Sequence, residues 1–148
     1  MSWRVLVIED DPAIQTMIQL MLRKGGYEVV SAPDALVGLR VAYQTRPHAI
    51  ILDVMMPEMD GFEACRRLRE MTDAPIFFLT GAAKTAGDAA KGLDLGADEY
   101  MTKPFYPQEL VAAVKINLQV FDPELRQQHR RLLTEKRKRL MAAREANQ

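Results

Sequence analysis

The sequence predicts an α/β fold in which a five-stranded parallel sheet is covered by helices on both faces, with a helical extension after it. Two observations carry this. Short runs of apolar and β-branched residues alternate with longer segments of helical periodicity, as in successive βαβ units. The strand runs are also continuously apolar rather than alternating, which is what a strand buried on both faces requires.

The first strand is Val5-Leu6-Val7-Ile8. A helix over 12–24 follows, with Pro12 in its first turn and Gly25-Gly26 as its stop. Glu28-Val29-Val30 is the second strand, and Asp34 can cap a second helix over 34–44. Ala49-Ile50-Ile51-Leu52 reads as the third strand, ended by Asp53, and 61–71 as the third helix. Ile76-Phe77-Phe78-Leu79 and Tyr100-Met101-Thr102 complete the sheet, each followed or preceded by helical periodicity at 87–95 and 107–120. Asp122-Pro123-Glu124 then starts another helix, whose large apolar residues Leu125, Leu132, Leu133, Leu140 and Met141 recur at spacings near seven. This divides the chain into a domain at 1–121 and an extension at 122–148, read as a solvated linker helix or a short helix that docks on a partner.

With 148 residues, the chain can bury one ordinary core and not two. Cys65 is the only cysteine, so no intramolecular disulfide forms. No export pattern marks the N-terminus, and the apolar run at 49–52 falls far short of the roughly 20 residues a membrane span needs. A cytoplasmic protein without membrane contact is expected. Net charge is zero, but residues 122–148 carry eight Lys/Arg against four Asp/Glu, so the body is acidic and the tail basic. An acidic body binds nucleic acid poorly, and Arg137-Lys138-Arg139 reads as a charged helix face. Direct nucleic-acid binding is not expected.

In open parallel sheets, ligands bind beyond the carboxyl ends of the strands, so the strand ends identify the chemistry. These ends are Glu9-Asp10-Asp11, Asp53, Thr80 and Lys103-Pro104. Acids massed at one sheet edge repel one another unless a cation is present. With Asp53 beside them they form an oxygen-rich pocket suited to Mg²⁺ that keeps several waters. The bland alternative is a solvated acidic loop with Asp53 as a cap. Lys103 offers a compact cation facing the carboxylates, and Thr80 a hydroxyl able to bond a phosphoryl oxygen. Read alone, these two would be an exposed turn lysine and a strand residue capping its own turn.

The strings Val7-Ile8-Glu9-Asp10-Asp11, Leu52-Asp53-Val54-Met55-Met56-Pro57-Glu58-Met59-Asp60-Gly61, Leu79-Thr80-Gly81 and Gly96-Ala97-Asp98-Glu99-Tyr100-Met101-Thr102-Lys103-Pro104-Phe105 resemble the receiver domain of two-component response regulators. The resemblance spans roughly residues 3 to 120 and implies a flavodoxin-like, doubly wound sheet. It makes Asp53 the phosphoacceptor. Asp10 becomes a direct Mg²⁺ ligand, Glu9 a ligand through water, and the Met55 carbonyl a further ligand. Asp11 is an ambiguous third acid. Thr80 matches the switch hydroxyl, Lys103 the phosphoryl-binding lysine, and Tyr100 the aromatic that turns on activation. The implied partners are a sensor histidine kinase or phosphotransfer protein and an output protein or domain that the sequence does not name. A homodimer stays open, although Ala112-Ala113 stands where an arginine would support the family's active dimer.

The resemblance implies a phosphorylation switch that catalyses only its own phosphotransfer and slow dephosphorylation, not an enzyme acting on other substrates. Two rivals stand beside it. A haloacid-dehalogenase-type phosphatase needs a second carboxylate two residues after the nucleophile, and that position is Met55. A degenerate receiver, binding protein without phosphorylation, would have lost some of Glu9, Asp10, Asp53, Thr80 and Lys103, and all five are present.

Overall fold

The computed structural model describes residues 3–53, 61–80, 99–102 and 106–119, together with Glu135, Arg139 and Ala142. Within them the chain runs β1 (Arg4–Ile8), α1 (Pro12–Lys24), β2 (Glu28–Ala32), α2 (Ala35–Thr45), β3 (Ala49–Asp53), α3 (Gly61–Met71), β4 (Ile76–Thr80), β5 (Glu99–Thr102) and α4 (Pro107–Gln119). The strands form one parallel sheet in the order β2-β1-β3-β4-β5. The fold class is as the periodicity implied. Boundaries differ by small amounts: β2 continues through Ser31 and Ala32, and Asp53 and Thr80 end their strands from inside the ladder rather than lying beyond it. The helix expected at 87–95 lies outside the described residues. So does the extension at 122–148, except that Glu135, Arg139 and Ala142 are helical and exposed.

Alternate strand residues point to opposite faces, and the core divides accordingly. Leu6, Ile8, Ile50, Leu52, Ile76 and Phe78 pack with Ala35 and Ala42 of α2 and with Ala64, Cys65 and Leu68 of α3. Val5, Val7, Ala49, Ile51, Phe77 and Leu79 pack with Ile18 and Leu22 of α1 and with Leu110, Val114 and Leu118 of α4. The runs 5–8, 49–52 and 76–79 are thus apolar at every position because each face of the sheet has its own helical layer. Gly38 lets α2 come close to β1: a Cβ there would sit 2.5 Å from the Ile8 Cδ1 atom.

The opposite sheet edge is closed by polar groups. The Arg4 amide donates to His48 Nδ1 (2.9 Å) and the His48 amide donates to the Arg4 carbonyl (2.7 Å), adding a rung below the β1–β3 ladder. The Arg4 guanidinium reaches the Thr45 carbonyl and pairs with Glu28 at 3.1 Å. On the outer face of α3, Arg66 and Arg67 hold the Glu63 carboxyl down at about 2 by donating hydrogen bonds to it. Strongly shifted groups are often functional. Glu63, however, is half-buried on a helix surface among i,i+3 and i,i+4 partners, so its shift reports an ion-pair network and not a site.

Candidate functional site

From β1 the chain turns to β2 on one side and later to β3 on the other, so the crevice of the sheet opens at the carboxyl ends of β1 and β3. The register pairs Ile8 with Leu52, which sets the next residues, Glu9 and Asp53, side by side. Asp10 follows on the loop to α1. One carboxylate oxygen from each of Glu9, Asp10 and Asp53 lies within 4.8 Å of the others. Glu9 is 2% and Asp53 3% exposed, whereas Asp10 is open to solvent.

Two buried carboxylates and a third at the mouth repel one another in a medium that screens poorly. A divalent cation relieves that repulsion, and three oxygen donors without sulfur or imidazole select a hard one. The exposed side of Asp10 leaves room for waters in the remaining coordination positions. The donor set therefore fits the expected metal.

Asp11 is resolved by its hydrogen bonds. Its Oδ1 accepts from the amides of Ala13 (2.9 Å) and Ile14 (3.2 Å), which makes it the N-cap of α1, with Pro12 in the first turn. Its side chain serves the helix, while its amide donates to Glu9 Oε1 at 3.4 Å. Asp11→Ala is expected to lower stability by about 1 kcal/mol in urea denaturation, with the midpoint still rising on addition of Mg²⁺. Loss of that rise would move Asp11 into the metal site.

Gln15, one turn into α1, is a site neighbour that the sequence did not single out. Its amide nitrogen donates to the carbonyls of Glu9 (3.2 Å) and Ala32 (3.1 Å), while the Glu9 amide itself donates to the Ala32 carbonyl (3.2 Å). No residue pattern announces such a bridge, because a glutamine on the first turns of a helix is ordinarily a surface residue.

Of the remaining expected residues, Thr80 is the last residue of β4, one place beyond Leu79, which pairs with Asp53. It pairs across the ladder with Thr102. Tyr100 is half-buried in β5 opposite Phe78, the two ring centroids 6.2 Å apart. Phe78 in turn meets Phe62 of α3 edge-on at 5.5 Å, so an aromatic row runs from α3 across β4 to β5. Met55 and Lys103 lie outside the described residues. Glu9, Asp10 and Asp53 are the expected site residues brought into one cluster among those described.

Comparison with known proteins agrees with this geometry. Residues 5–115 match the family described as response regulator receiver domain. The chain is 41% identical over 122 residues to the DNA-binding dual master transcriptional regulator RpaA of Synechocystis, covering 80% of this chain and 50% of that protein. It is 44% identical over 116 residues to the alkaline phosphatase synthesis transcriptional regulatory protein PhoP of Bacillus subtilis, covering 78% and 48% respectively. The chain thus spans about half the length of the curated relatives it matches. A CheY-like receiver domain protein from Methanospirillum hungatei superposes with a TM-score of 0.77 at 28% identity, covering 80% of this chain and 95% of that one.

Proposed function

Since the chain belongs to the response regulator receiver domain family of two-component systems, we propose that Asp53 accepts a phosphoryl group from a histidine kinase or phosphotransfer protein, with Mg²⁺ held by Asp10, Asp53 and the Met55 carbonyl and, through water, by Glu9. The observation that carries this reading is the meeting of the Glu9, Asp10 and Asp53 carboxylates within 4.8 Å at the switch point of the sheet.

In the reaction, an Asp53 carboxylate oxygen attacks the phosphorus in line as the bond to the donor nitrogen breaks, and the imidazole leaves. Bound Mg²⁺ offsets the charge on the phosphoryl oxygens. Lys103 supplies a second cation to the same oxygens, and Thr80 donates a hydroxyl hydrogen bond to the new dianion. The inward pull on Thr80 makes room for Tyr100 to turn, and the face that includes β5 and α4 changes shape. The acidic cluster favours a switch that is phosphorylated over a degenerate binding module.

The domain ends near residue 121 in this reading, and residues 122–148 form a helical extension toward the output. Among the described residues no helix is long and apolar enough to cross a membrane, and a cytoplasmic location is part of the proposal. One relative is DNA-binding by name, which runs against the expectation that direct nucleic-acid binding is unlikely. We assign contact with DNA to a domain or partner outside the acidic residues 1–121, which lack the clustered cations that phosphates need.

The test is incubation with acetyl phosphate and Mg²⁺, followed by intact mass. One phosphoryl adduct is expected, and it should be absent when Mg²⁺ is chelated. An unmodified chain under both conditions would refute the switch.

A further inference from the structure

We propose that Gln15 is a positioning residue for the metal-binding acids: by bridging the carboxyl ends of β1 and β2 it fixes the backbone from which Glu9 and Asp10 project. This rests on the metal role assigned to those acids above.

The geometry leaves little freedom in how Gln15 is oriented. Both partners of its side-chain amide are backbone carbonyls, Glu9 O at 3.2 Å and Ala32 O at 3.1 Å. A carbonyl can only accept, so the NH₂ group and not the oxygen must face both. The amide therefore spans two strands from a helix, tying together three elements at the point where the chain leaves the sheet. The Glu9 amide already donates to the Ala32 carbonyl at 3.2 Å, so Gln15 completes a closed polar ring around the last rung of the β1–β2 pair.

On the helix side the Asp11 amide donates to Glu9 Oε1 at 3.4 Å, and on the β2 side Gln15 holds the Glu9 main chain. Beyond Ile8 the regular β1 ladder stops, and the next fixed point is Asp11, capping α1. Glu9 and Asp10 occupy the interval. Their carboxylates repel each other and Asp53 when no cation is bound, which pushes the β1 end away from β3. A tether on the β2 side keeps Glu9 in place, so the pocket stands ready and binding need not order it. Gln15 touches neither metal nor phosphoryl group in this account. It acts through the main chain of Glu9.

The test uses two variants and two readouts. Gln15→Met keeps the length and removes both donors; Gln15→Arg keeps donors that can reach the carbonyls. Mg²⁺ affinity is measured by calorimetry on the whole chain, and exchange of the Glu9 amide proton by NMR without metal. Gln15→Met should bind Mg²⁺ on the order of tenfold more weakly and exchange the Glu9 amide faster, while Gln15→Arg should restore both toward the parent. Unchanged affinity in Gln15→Met, or equal losses in both variants, would overturn the positioning role while leaving the metal site intact. If the parent chain itself binds no Mg²⁺, the metal reading and this inference fall together.

Discussion

Asp53→Asn is expected to yield no phosphoryl adduct from acetyl phosphate under conditions in which the parent chain is modified. The side chain keeps its size and its place at the end of β3, but an amide oxygen lacks the negative charge that makes the carboxylate a nucleophile. Removing an enzyme's covalent nucleophile lowers rates by roughly a thousandfold or more, so the adduct should vanish on an intact-mass time course. A second consequence has the opposite sign. Asp53 is buried beside Glu9, which is buried as well, and removing one of two neighbouring charges relieves repulsion. In the presence of a chelator, Asp53→Asn should therefore melt at a higher temperature than the parent, and its gain on adding Mg²⁺ should be smaller. An adduct formed at the parent level would remove Asp53 from the phosphoacceptor role, and a lower melting temperature in chelator would contradict the electrostatic account of the cluster.

The largest expected effect on stability is at Phe78. Its side chain is fully buried in the middle of β4, it meets Phe62 edge-on, and it touches Tyr100. Truncation to alanine in such a position costs about 3–5 kcal/mol, out of a total that for a domain of this kind is roughly 5–15 kcal/mol. Phe78→Ala should thus lose much of its cooperative urea transition, followed by near-ultraviolet circular dichroism. Phe78→Leu retains most of the volume and should lose about half as much or less. If alanine is tolerated with a shift under about 1 kcal/mol, the site has collapsed around the gap, and the aromatic row is not a packed element of the fold.

Much of this was legible in the sequence because the signals are local and redundant. β1, β3 and β4 announce themselves as apolar runs, and a proline in the first turn marks the start of α1 and α4. The acids after Ile8 and the charge at Asp53 pointed to one pocket because parallel strands bring their carboxyl ends together. What escaped the sequence depended on hydrogen-bond partners. Asp11 could have been separated from Glu9 and Asp10, since an aspartate directly before a helix-starting proline is an N-cap pattern. Gln15 could not, because its acceptors are main-chain carbonyls on two strands and no side-chain type encodes them. The end of β2 was missed for a related reason: Ser31 and Ala32 are weak strand formers held by pairing with Val7 and Ile8.

The sheet order also bears on when the pocket can exist. β1–β2, β3–β4 and β4–β5 each join strands that follow one another in sequence, so each can close as a single βαβ or shorter excursion. β1–β3 is different: it pairs Val5 with Ala49 across all of α1, β2 and α2. Loop closure over that stretch is the most non-local step in the sheet, the kind that slows folding. Glu9 and Asp53 come together only through it. The carboxylate cluster is therefore absent from a chain that has formed its neighbouring βαβ units but not joined β1 to β3, and under the proposed reading of Asp53 a partly opened molecule is not expected to take up a phosphoryl group.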